Sequence, residues 1–130
     1  MSPRPAGRRT PCTVPDAKAR LHDAEAFLEA AEISKDSDVI ATNAIHAAIA
    51  AADAICCVAL RERSADGNHS AAGELLGEVD KTLAASFRRA LDCKNQAAYE
   101  ARDIAMSDAR ACVRQASLLI EAARTRIAHI

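Results

Sequence analysis

The chain has 130 residues, half of them apolar but only three aromatic (Phe27, Phe87 and Tyr99), and a formal net charge of −1. That length suffices for one domain with a modest core, which has to be built from Ala, Leu, Ile and Val. The scarcity of aromatics argues against a protein that stacks the bases of single strands, and the first residues lack the apolar core of a secretory signal.

Charge is unevenly spread along the chain. Residues 1–15 carry three Arg and no acid, residues 16–81 carry six basic and thirteen acidic groups, and residues 82–130 carry eight basic and five acidic groups. The front is acidic and the back basic, a pattern that suits either solvated helix faces or pairing with another chain or a phosphate backbone. All four prolines lie in the first fifteen residues. The long proline-free remainder, rich in helix formers, predicts an all-α domain.

Residues 1–12, MSPRPAGRRTPC, have no apolar periodicity and are expected to be a disordered basic tail, leaving 13–130 as the folded domain. The first helix is predicted to start at Thr13, where Thr13 and Asp16 have the spacing of a capping box and Pro15 fits the first turn. Leu21, Ala24, Leu28 and Ala31 form its inward stripe. The segment SKDSD ends it and supplies Asp36, Ser37 or Asp38 as the next N-cap.

The stretch Val39–Leu60, VIATNAIHAAIAAADAICCVAL, is apolar nearly all round and carries one formal charge, Asp53. Such a helix is a buried one, and its predicted extent is Asp38–Glu62. It is long enough to span a bilayer, but Asn43, His46 and Asp53 interrupt it, and an Asp at mid-membrane costs about 2.5–3.5 kcal/mol. The reading is a central soluble helix with no membrane contact. Asn43, His46 and Asp53 share one side of it and must find polar partners.

A loop, Arg63–His69, leads to a short third helix with Ala72, Leu75, Leu76 and Val79 inward and Asn68 or Ser70 as its cap. Gly73 and Gly77 weaken that helix by about 1 kcal/mol each relative to Ala. Asp80 or Thr82 opens the fourth helix, with Leu83, Phe87, Ala90 and Leu91 inward and Arg88 and Arg89 outward. The mixed region Asp92–Met106 reads as a partly helical connector. Ser107 is the expected cap of the last helix, whose stripe is Cys112, Ala116, Leu119, Ala123 and Ile127. The five cysteines (Cys12, Cys56, Cys57, Cys93, Cys112) are odd in number and lack CxxC spacing. They predict reduced thiols in a cytoplasmic protein, with Cys12 and Cys93 the more accessible.

Two runs resemble the HEPN family, the higher eukaryotes and prokaryotes nucleotide-binding domains. In NAIHAAIAAADAICCVALRERSADGNHSAAGELL a long Ala-rich helix passes through a short polar loop to a His, His69, followed by Leu75 and Leu76. In LDCKNQAAYEARDIAMSDARACVRQASLLIEAA the matching residues are Leu91, Lys94, Tyr99, Ala109, Ala116 and Leu119, with Lys94 where Arg is common. The resemblance spans roughly residues 16–128. It implies an up-and-down bundle of four to five helices, commonly a homodimer. Some members of the family are ribonucleases or toxins; others are non-catalytic binding modules beside nucleotidyltransferases or in defence systems.

The nuclease members use an Arg followed, after four to six residues, by a His. Metal-independent RNA cleavage needs a proton shuttle near the 2′-hydroxyl and a cation beside the phosphate, roles that suit His and Arg. Here Arg63 and His69 have that spacing, with five residues between. The pair lies in the loop after the central helix rather than in a later helix, and Ser64 follows the Arg. The leading reading is therefore a non-catalytic module that binds RNA, a nucleotide or a partner protein such as a nucleotidyltransferase or antitoxin, in a stress or defence context. The alternatives are a metal-independent endoribonuclease acting through Arg63 and His69, and a purely structural dimeric protein. Arg88, Arg89, Lys94, Arg110 and Arg114 are the candidate phosphate-contacting residues. No metal site, cofactor or glycine-rich phosphate loop is expected.

Overall fold

A computed structural model of the chain describes residues 7–65, 67, 69–93 and 104–130, together with the backbone of 94–100. It is 81% helical, with five helices and a two-stranded ribbon. The elements in order are β1 (Arg9–Pro11), α1 (Val14–Ile33), α2 (Ser37–Leu60), β2 (Glu62–Ser64), α3 (His69–Val79), α4 (Lys81–Glu100) and α5 (Met106–Ala128).

Local capping chemistry sets three of the helix starts. The Thr13 hydroxyl accepts from the Asp16 amide, and the Asp16 carboxylate accepts from the Thr13 amide, which closes the predicted box. Asp36 caps α2 by accepting from the amides of Asp38 and Val39. Asp80 caps α4 by accepting from those of Thr82 and Leu83. Asp38 acts at longer range. Its carboxylate accepts from the Ile104 amide at 3.0 Å and ties the start of α5 to the start of α2.

Helix α2 packs against each of the other four helices. Fourteen of its 24 residues are buried, seven of them among Ala44–Ala54 as alanines, and the small side chains let the neighbouring helices approach. By length and composition α2 could cross a membrane; 67% of its most apolar window is buried against the rest of the chain. Phe87, Ile55, Leu75, Leu76, Leu119 and Ile120 supply the bulk of the core around it. Gly73, expected only to weaken α3, allows that packing: a Cβ there would sit 3.4 Å from the Phe87 ring.

Several boundaries differ from expectation. Helix α2 stops at Leu60 rather than Glu62, because Arg61 turns left-handed (φ 58°, ψ 25°) and returns its amide to the Cys57 carbonyl. Helix α4 continues through the expected connector to Glu100; no Gly or Pro interrupts it. Helix α5 begins at Met106, with Ala105 at the N-cap and no side-chain cap, so Ser107 lies inside the first turn. Asn68 and the remainder of the connector, 101–103, lie outside the described residues.

The largest correction concerns the N-terminus. Arg9–Pro11 is a strand, antiparallel to Glu62–Ser64, with Arg9 opposite Ser64, Thr10 opposite Arg63 and Pro11 opposite Glu62. The Cys12 amide donates to the Arg61 carbonyl and the Ala65 amide to the Arg8 carbonyl, each at 2.9 Å. The tail expected over 1–12 is thus ordered over residues 9–12; residues 1–6 lie outside the described residues. Ordering comes from contacts distant in sequence. Arg9 reaches Glu62 and Glu78, and Cys12 is disulfide-bonded to Cys57. The expectation of five reduced thiols is therefore corrected for that pair. Cys56, Cys93 and Cys112 are free and buried, and neither Cys12 nor Cys93 is accessible.

Candidate functional site

The three polar residues of α2 find separate partners. Asn43 donates to the Val39 carbonyl of its own helix at 3.0 Å. His46 is exposed and stacks on Phe27 of α1, with ring centroids 5.2 Å apart. Asp53 is buried, and Arg20 of α1 donates to one of its oxygens from Nε at 3.2 Å and Nη2 at 3.1 Å. A buried charge has to be paired, and Arg20, which also holds Asp23, supplies the pairing.

Asp53 is also the polar floor of a cavity of about 130 Å³. It is lined by Ile49 and Asp53, one turn apart on α2, by Arg63 and Ser64 of β2, by Ala65 and Gly67 of the loop, and by His69 and Ala72 of α3. Gly67 makes the bend with φ +69°. Burial pushes the Asp53 carboxyl above the usual carboxylate range, against the opposing pull of Arg20 and, more weakly, of Arg63 and His69. Arg63 also lies near Asp16, whose carboxyl is held low chiefly by the Thr13 amide. The Ser64 hydroxyl oxygen is buried and has no hydrogen-bond partner among the described residues.

His69 opens a second, larger groove of about 420 Å³ on its other side, lined by Ile45, Ser70, Gly73, Arg88, Leu91 and Asp92. Arg63 and His69, singled out by spacing, therefore share one cavity, and Arg88 joins His69 in the next. Arg110 and Arg114 open elsewhere, onto a groove of about 490 Å³ with Glu32 and Lys35 at the α1–α2 turn. Arg89 is exposed on α4 and lines none of the three, and the side chain of Lys94 lies outside the described residues. Among the described residues no group of three or more His, Cys, Asp or Glu could hold a metal ion.

Chemically, the small cavity has a carboxylate already matched by Arg20, a second guanidinium in Arg63 and an imidazole in His69. Arg63 makes one side-chain hydrogen bond, at 3.5 Å to the Ser64 carbonyl, and no ion pair among the described residues. The cavity and the adjoining groove share His69 in their linings. Arg20 escaped the sequence reading, and Ser64 was noted there only as the residue after Arg63. The available signal for Arg20 was the lone acid in an apolar helix, which demands a cation, when α1 offers only Lys18 and Arg20.

The chain matches no protein-family model, no curated protein and no solved structure.

Proposed function

We propose that the chain is a HEPN-like module that binds RNA or a nucleotide by holding a phosphate between Arg63 and His69. The observation that carries this reading is that these two residues, one in a strand and one at a helix start with five positions between them, line one cavity with a buried carboxylate at its floor. The long Ala-rich helix, the short polar loop and the His that opens the next helix support the family resemblance. In this reading the module is a homodimer acting beside a partner protein such as a nucleotidyltransferase or antitoxin. Because α2 is covered within the chain, the dimer seam falls on other surfaces, where Leu118 of α5 is an exposed apolar side chain.

A second reading, metal-independent endoribonuclease, is favoured by the same juxtaposition. His69 would move the 2′-hydroxyl proton and Arg63 would stabilise the phosphate as charge develops. Labelled RNA incubated with the protein in EDTA separates the two. Retention without cleavage, weakened by salt and by Arg63→Ala, supports the binding module. Cleavage lost in His69→Ala supports the enzyme. Neither retention nor cleavage removes both.

A further inference from the structure

We propose that the Cys12–Cys57 disulfide is a redox latch on the Arg63–His69 cavity: its reduction by a dithiol frees β1 and, with it, the strand that holds Arg63 and Ser64 in the cavity wall. The release of β1 stands on the geometry alone. Its effect on binding rests on the reading of that cavity as the phosphate site.

The chain of contacts is short. Cys57 lies in the last turn of α2, 45 residues from Cys12, so the bond pins the segment after β1 to the central helix. Among the described residues β1 pairs with β2 alone, and a two-stranded ribbon of three residues per strand does not hold itself together in water. Among the described residues, Arg9 of β1 pairs with Glu62 and Glu78, all on partly exposed side chains and therefore screened by salt. Downstream, α1 has its own capping box at Thr13, so release would stop there. Arg63 stands opposite Thr10, and Ser64 opposite Arg9. Arg63 sits in β2, and its side chain donates to the neighbouring Ser64 carbonyl at 3.5 Å.

The chemistry balances with an external dithiol. Its thiolate attacks the Cys12 sulfur and forms a mixed disulfide, Cys57 leaves as a thiol after taking a proton, and the second thiol of the reagent closes its own disulfide and frees Cys12. Two electrons and two protons pass to the protein. Cys12 and Cys57 are both buried, so attack waits on a transient local opening around the bond. An anion bound in the cavity of the oxidised protein would make reduction less favourable at equilibrium, as linkage requires. Neighbouring Cys56 does not shuffle the bond: burial, aided by Asp53 and Glu78, pushes its thiol up to about 12.

The test uses the full chain, oxidised and reduced with dithiothreitol, with thiols counted by alkylation and mass spectrometry. Amide exchange is then measured together with retention of a short labelled RNA. The latch predicts that reduction removes protection from residues 7–12 and 61–65, leaves α2, α4 and α5 protected, and weakens RNA binding about tenfold or more. Cys12→Ser should match the reduced protein and ignore dithiothreitol. Unchanged protection overturns the latch, and a fall at residues 7–12 and 61–65 no larger than that in α2, α4 and α5 overturns it in favour of a staple for the whole fold. Freed β1 with unchanged affinity overturns the link to the cavity. If the oxidised protein retains no RNA, the binding reading fails, while exchange still decides whether β1 is released.

Discussion

Arg20 of α1 donates two guanidinium nitrogens to a single oxygen of Asp53, the buried acid of α2, at 3.2 and 3.1 Å. This pair joins the two helices and neutralises the floor of the cavity that holds Arg63 and His69. Removing the cation alone leaves an uncompensated buried carboxylate. Arg20→Ala is expected to cost about 3–5 kcal/mol in urea unfolding, the range for breaking a buried pair from one side. Arg20→Ala combined with Asp53→Asn should cost less than the single change, because the stranded charge is gone.

The same acid sets a pH dependence. Burial raises the folded-state affinity of Asp53 for a proton above that of the unfolded chain, whose ordinary value is 3.8. Its contribution to stability is therefore greatest below that value and declines as pH rises towards the raised folded value. Asp53→Asn should remove this decline, so the difference in unfolding free energy between variant and parent changes through the acid range and levels off above it. Parallel pH profiles for the two proteins would contradict the assignment.

Three backbone positions give predictions of opposite sign. A Cβ at Gly77 of α3 would meet only the Ala84 Cβ, at 3.7 Å, so Gly77→Ala should stabilise by about 0.5–1 kcal/mol through helix propensity. Gly67 has open space but φ +69°, so Gly67→Ala should destabilise by about 1–2 kcal/mol. Arg61 occupies the left-handed region with a side chain, and Arg61→Gly should relieve about 1 kcal/mol. Thermal melts of the three variants check the signs.

The disulfide bears on stability as well as on the cavity. Cys57→Ser should lower the unfolding free energy by about 2–4 kcal/mol, mainly by freeing the unfolded chain. The variant should still fold, because the cluster of Phe87, Leu76, Leu119 and Ile120 around α2 does not involve β1. Circular dichroism would retain the helical signal at a lower melting temperature.

What could be read in advance was local. The Thr13–Asp16 box and the Asp36 and Asp80 caps are contacts within three residues, and the Ala-rich pattern of α2 states its own burial. The ribbon was not legible, because Pro and Arg at 8–11 carry no strand pattern and the pairing partner lies more than fifty residues away. Nor was the disulfide, since five cysteines without spacing signals do not name their pairs. Helix α4 outran its reading because the apolar stripe fades after Cys93 while the helix formers continue. The Arg63–His69 pair was visible as a spacing. Its cavity was not, because Ile49 and Asp53 reach it from the neighbouring helix.

The most direct test of the account is an anisotropy titration of a short labelled RNA, in EDTA, with the oxidised parent, Arg63→Ala, and Arg124→Ala as a control. Arg124 pairs with Glu25 and Glu121 on the surface and lines none of the described cavities. The account predicts salt-sensitive binding by the parent, a loss of about tenfold in Arg63→Ala, as expected for removing a charged hydrogen-bond partner, and no change in Arg124→Ala. Equal binding by all three proteins, or none by the parent, would contradict it.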